Sequence, residues 1–246
     1  MKFEEKQINS ISELLSHLSD DLQSIKSPVW YRGDANKNWD LVPSLFRGNS
    51  KKEIDYLKEF KQDAILLVEP RPQHSYEWLF LMRHNHIPTR LLDWTESPLV
   101  ATFFAINDTK NIDEDGALWM LLPLELNKYI EELSDEETLP SFEENSFLNS
   151  YTTDEFDRSN PENSRKTVAF LAPRNSPRMH SQLSVFTINH HNKTPIDKLG
   201  DGNHIWRYII PKSSKKKLQN ELKLLKINYF QLFPELPYIF DKIREG

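Results

Sequence analysis

Residues 97–106, SPLVATFFAI, constrain the fold more than any other stretch of the chain. Ser97 stands where a helix cap belongs, Pro98 takes the first helical position, and the residues that follow are apolar nearly all round. A helix with no polar face has to be covered on every side, so the pattern predicts a buried helix with other elements packed about it. Short strand-like runs supply those elements. PVWYRG (28–33) ends on a glycine, GALWMLLPL (116–124) reads as a core strand, and TVAFLAP (167–173), QLSVFTI (182–188) and HIWRYIIP (204–211) have strand character.

Amphipathic helices alternate with these strands. Ser10 and Glu13 form a capping box ahead of Ile11, Leu14, Leu15, Leu18 and Leu22. A second helix runs from Lys51 to Glu69 on Ile54, Leu57, Phe60, Ala64, Leu67 and Val68, a third covers Tyr76 to Arg83, and a fourth begins near Ser213. Between the first strand and the second helix, DANKNWDLVPSLFR reads as a polar turn followed by an apolar hook. The expected class is α+β, and the 246 residues are expected to form a single domain. FPEL in the tail is expected to fold back on the core with Glu235 exposed.

Charge is unevenly spread. The chain carries a formal −6, yet residues 131–162 hold 11 acidic residues and one basic, which leaves the remainder at about +4. Rich in Ser, Thr, Asn and Glu, the stretch 131–163 is read as an insertion or mobile loop outside the core. With it set aside an anionic substrate is admissible, and a nucleic-acid acceptor is favoured over a protein one. There is no cysteine, hence no disulfide, thiolate metal site or thiol nucleophile. No apolar signal core opens the chain and no run approaches the roughly 18 apolar residues of a span, so a soluble, cytoplasmic protein without a membrane partner is expected.

The densest chemistry lies in HNHIPTRLLDWTESPLVATFFA, residues 84–105, where histidines, an arginine, an aspartate, a tryptophan and hydroxyls precede the buried helix. A helix N-terminus there is a natural anion site. In the plainer alternative Asp93, Thr95 and Ser97 cap the helix and Arg90 pairs with Asp93. A metal-assisted nuclease on His86 and Asp93, with His84 nearby, is a further alternative, although zinc signatures are missing and no metal is expected. There is no GxSxG, P-loop or GxGxxG. Trp30, Trp39, Phe103, Phe104, Phe186 and Trp206 are assigned to the core, His190 and His191 to a solvated loop, and Lys215, Lys216 and Lys217 to a solvated helix start or a grip on phosphate.

WYRG, HIPTRLLDWTESPLVATFFA, PRMHSQLSVFT and the terminal LFPEL resemble the motifs of the FRG domain, a bacterial family named for an aromatic-Arg-Gly signature. The order of these motifs is in turn similar to that of ADP-ribosyltransferases of the Arg-Ser-Glu type. That resemblance implies a split β-sheet core with N-terminal and flanking helices. It implies NAD as substrate, a nucleic-acid or protein acceptor, a toxin or phage-defence role, and an inhibitory antitoxin-like partner; a sensor domain without catalysis is the rival. Arg32 matches the arginine strand, Thr95 and Ser97 the second motif, and Gln182 falls where a glutamate belongs. A glutamine orients hydroxyls but brings no charge and accepts no proton. Expected catalytic residues are Arg32, Asp93, Thr95 and Gln182. Expected NAD contacts are Tyr31, Arg32, Gly33, His86, Thr89, Arg90, Trp94, Thr95, Ser97 and Arg178, with Tyr31 and Trp94 stacking on nicotinamide and Gly33 admitting the ligand close to the backbone.

Overall fold

The computed structural model describes residues 2–48 and 51–235. In chain order the elements are β1 (Lys6–Gln7), α1 (Ile11–Leu22), β2 (Trp30–Asp34), α2 (Glu53–Ala64), α3 (Ser75–His84), β3 (Leu91–Thr95), α4 (Pro98–Ile106) and β4 (Gly116–Leu121). They continue with α5 (Pro123–Asn127), α6 (Thr153–Arg158), β5 (Val168–Phe170), α7 (Pro177–Ser181), β6 (Ser184–Ile188), β7 (Ile205–Ile210), α8 (Lys212–Leu224) and α9 (Tyr229–Leu232). The class is α+β, as expected. Seven strands form one sheet in the order β1-β7-β4-β2-β3-β6-β5, antiparallel throughout except where the two-residue β1 lies parallel to β7.

The sheet is unevenly knit. β2 pairs with β4 through all five of its residues, and β3 pairs with β6 in the same way. Between β2 and β3 the register holds a single pair, Tyr31 opposite Thr95. The two halves of the sheet therefore part just beyond that junction, at the position of Arg32.

Alternation along the strands separates two cores. On one face Tyr31, Leu118, Met120, Tyr208 and Ile210 pack under α1, α4 and α8, and farther along the same face Leu91, Phe170, Phe186 and Ile188 pack with Leu79 and Phe80 of α3. Trp30, Leu92, Trp94, Trp119, Val185 and Ile205 form the core of the other face. Helix α4 is covered by strands and helices together, with Val100, Ala101, Phe103, Ala105 and Ile106 all buried. Ser97 caps it by accepting from the Val100 amide at 3.3 Å, the role assigned to it in the plainer reading.

Several expectations change. The acidic stretch is no appendage: it inserts Leu133, Phe142, Leu148 and Tyr151 into the core over β5 and β6 while its carboxylates stay outside. Apolar residues spaced irregularly among charges give no periodic signal, so composition alone masked them. Helix α2 stops at Ala64 and leaves Leu67 84 % exposed, because the heptad-like spacing ran on past the last residue with something to pack against. Lys215 is buried, donating to the carbonyls of Ala35 (2.8 Å) and Asn111 (2.7 Å), whereas Lys216 and Lys217 are exposed. His190 is also buried rather than solvated, and His191 stacks on Phe156. Residues from Leu236 onward, including the end of the LFPEL motif, lie outside the described residues. Among the described residues no helix is long and apolar enough to cross a membrane.

Candidate functional site

A cavity of about 550 Å³ opens on the sheet where β2 and β3 part. That is within the size range of pockets that enclose small organic ligands. Its floor is strand: Tyr31, Arg32, Gly33 and Asp34 of β2, Asp93 and Thr95 of β3, Ser184 and Phe186 of β6. Its walls are Phe80, Arg83 and His84 from α3, Phe103 and Phe104 from α4, Arg178 from α7, and Tyr229 and Phe233 near the end of the described chain. Arg32, Thr95 and Gln182, far apart in sequence, thus face one space.

Arg32 is fixed by the parting of the sheet. Alternation sets Arg32 and Asp34 opposite to Tyr31 and Gly33, and with β3 diverging there the guanidinium crosses the gap. Its Nη1 donates to the Asp93 carbonyl at 2.9 Å and its Nη2 pairs with Asp34 Oδ1 at 3.0 Å. Nε of Arg32 and Oδ2 of Asp34, both buried, are left with no hydrogen-bond partner. Partnerless buried atoms also occur away from the cavity, at Trp30, Trp119, Asn189 and His204 among others, but among the described residues Arg32 and Asp34 are the cavity-lining ones that carry them.

Asp93 faces the cavity but is engaged by Arg83, whose Nε donates to Oδ2 at 2.7 Å while Nη2 bonds the same oxygen. Burial alone would raise the Asp93 carboxyl; Arg83, with Arg32 and Arg178 behind it, holds it below the usual carboxylate range. The expected Arg90–Asp93 pair is replaced by this Arg83–Asp93 pair. Burial, together with the charges of Arg178 and Arg83, keeps His86 below its ordinary value. His84, lowered by burial and Arg178, sits with Nε2 3.1 Å from Glu235 Oε1, so Glu235 is half-buried and paired rather than exposed. Among the described residues no three acidic or histidine side chains gather as a metal cluster.

Gln182 is the C-cap of α7 and not a strand residue. Its carbonyl accepts from Thr95 Oγ1 at 2.6 Å, and its side-chain Nε2 donates to the Leu232 carbonyl at 3.0 Å. Thr95 Oγ1 also accepts from the Ser97 amide at 3.0 Å. Thr95 therefore ties the two strand ends and the α4 entrance together.

Three expected ligand residues, Thr89, Arg90 and Ser97, stand outside the cavity lining. Thr89 and Arg90 are wholly buried away from the cavity. Arg90 donates to Glu53 Oε2 (2.8 Å), the Tyr151 carbonyl (2.6 Å) and the Asn189 carbonyl (3.1 Å), with Phe156 stacked 3.8 Å from its guanidinium carbon. Its partner comes from α2, 37 residues earlier, where no local pattern points. Ser97 caps α4 and is not part of the cavity lining. Trp94 borders the cavity, but its ring belongs to the opposite core and its Nε1 donates to Thr187 Oγ1 at 3.0 Å, so it offers no stacking face. Tyr31 is 6 % exposed and burial pushes its hydroxyl up to about 12.

Residues the sequence reading left out complete the walls. Trp39, expected in the core, is 38 % exposed and lines the cavity; its place among Lys37, Asn38 and Asp40 was the available signal. Phe103, Phe104 and Phe186 line it as well as packing. Asp34 and Arg83 had no signal beyond their charge, and Arg83 acquires its role only because α3 lies across β3. The cavity consequently has aromatic walls and three cationic residues, Arg32 on its floor and Arg83 and Arg178 on its walls.

Compared with known proteins, residues 27–114 match the family model described as FRG domain. That span contains WYRG and HIPTRLLDWTESPLVATFFA, hence β2 and β3 on both sides of the parting, and stops before PRMHSQLSVFT. No curated protein and no solved structure matches the chain. Residues 27–114, which bring Arg32, Asp93 and Thr95 to one cavity floor, are the part of the chain that matches the FRG domain.

Proposed function

We propose that the cavity binds a dinucleotide, NAD, and that the protein transfers ADP-ribose from it to a macromolecule, as an ADP-ribosyltransferase-like effector of the toxin or phage-defence kind. One observation carries this reading: Arg32 stands beside the single register pair that joins β2 to β3, on the floor of a cavity it shares with Thr95 and Gln182. Three guanidinium groups around the cavity favour an anionic ligand such as a phosphate. Aromatic walls at Trp39, Phe103, Phe104 and Tyr229 suit the two rings of such a ligand. The seam itself supports a split-sheet architecture of the transferase kind.

Gln182 supports a second reading, a nucleotide sensor without turnover, because it brings no carboxylate and its amide nitrogen is already held by Leu232. A nuclease built on His86 and Asp93 has less behind it, as Arg83 occupies the Asp93 carboxylate. Incubation with NAD and a cell extract separates these readings. Transfer releases nicotinamide and labels a macromolecule, and Arg32→Ala abolishes both. A sensor is stabilised thermally by NAD without releasing nicotinamide. If NAD neither stabilises the protein nor is consumed, the dinucleotide reading fails.

A further inference from the structure

Cleavage of a nicotinamide–ribose bond leaves positive charge on the sugar, and a nearby carboxylate stabilises that charge more in the transition state than in the ground state. Gln182 cannot do this. Three carboxylates line the cavity: Asp34, Asp93 and Asp108. Asp93 gives Oδ2 to two donors of Arg83. Asp108 closes its own turn, with Oδ1 accepting from the Lys110 amide and Oδ2 from Asn111 Nδ2, both at 2.9 Å. Outside the lining, Glu96 pairs with Arg174 and Glu235 with His84. Of the three that line the cavity Asp34 is the buried one, and beyond the lining Glu235 Oε2 is likewise buried without a hydrogen-bond partner. Asp34 is 3 % exposed, Arg32 holds only Oδ1, and Oδ2 has no partner. Beside it Arg32 Nε also has none.

An unmatched acceptor next to an unmatched donor is the complement of a hydroxyl, which donates through its proton and accepts through a lone pair. We infer that Asp34 supplies the carboxylate of this site, accepting a hydrogen bond from a ribose hydroxyl whose oxygen receives one from Arg32 Nε. The inference rests on the dinucleotide reading above. Arg32 keeps 14 % side-chain exposure, and both Arg32 and Asp34 line the cavity. In the reaction the C1′–nitrogen bond breaks with its electron pair going to the nicotinamide nitrogen. An oxygen or nitrogen of the acceptor, or water in its absence, bonds to C1′ and loses its proton to solvent. Asp34 forms no bond to the sugar.

The test is Asp34→Asn, which keeps the shape and removes the charge, with nicotinamide release followed against NAD concentration and NAD-induced thermal stabilisation measured beside it. The expected result is a fall in kcat of about 100-fold or more, KM within about threefold, and stabilisation by NAD retained. A kcat within about threefold of the wild type overturns the inference. Should Asp34→Asn fail to fold, shown by circular dichroism, Asp34→Ser takes its place with the same two outcomes. Wild-type protein that NAD stabilises but that releases no nicotinamide overturns the role of Asp34 while leaving the dinucleotide site standing. Wild-type protein that NAD does not stabilise overturns both.

Discussion

Gly33 lies so close to α4 that a Cβ on it would meet the carbonyl oxygen of Ala101 inside van der Waals contact and stand 2.7 Å from the amide nitrogen of Ala105. The glycine beside Arg32 thus admits a helix, where the sequence reading gave it a ligand. By letting the α4 backbone settle on β2, it sets the distance between the aromatic wall and the strand floor. Gly33→Ala is expected to destabilise the protein by about 3 kcal/mol or more, since backbone on both sides has nowhere to move. Chemical denaturation reads this, and a loss under 1 kcal/mol would mean that α4 is free to shift.

Arg90 and Glu53 form a wholly buried pair. Breaking such a pair leaves one charge stranded, so Arg90→Met is expected to cost about 3–5 kcal/mol. Arg90→Met with Glu53→Leu is expected to recover much of that loss. Because neither residue lines the cavity, NAD-induced stabilisation of the double variant should match that of the wild type, measured by thermal shift.

Replacing Gln182 with glutamate looks, on sequence alone, like restoring a missing catalytic group. The structure points the other way, because Nε2 donates to the Leu232 carbonyl and a carboxylate would set oxygen against oxygen. Gln182→Glu should loosen the segment around α9 at a local cost of about 1–3 kcal/mol, without any gain in nicotinamide release. Faster hydrogen exchange at residues 229–233 is the readout, and unchanged exchange there counts against the assignment.

Burial, with Arg90 nearby, holds His190 down to about 4, below its ordinary 6.5. The unfolded chain takes up that proton first, so the stability contributed by neutral His190 is complete above about pH 6.5 and is lost as pH falls toward 4. The loss is on the order of 2 kcal/mol. His190→Gln should flatten the decline of the melting temperature between pH 6.5 and 4; an unaltered slope would assign the acid limb to other groups.

The sequence by itself determined the α+β class, the cap and burial of α4, the positions of β2, β4 and β7, and the kinship carried by WYRG and PTRLLDWT. These are local matters, fixed by periodicity, caps and turns within a few residues. β3 has no alternation to announce it, since Leu91, Leu92 and Trp94 are all buried. Which neighbour each side chain meets was settled by the tertiary structure. Trp94 and Asp93 adjoin in sequence and face opposite sides of the sheet. Arg90 and Arg83 look alike in sequence, yet one is sealed against Glu53 while the other reaches Asp93 at the cavity. The physical reason is that a strand's face, and the gap left where two strands diverge, depend on pairings across tens of residues. That long-range register puts Arg32, Asp34, Thr95 and Gln182 around one space.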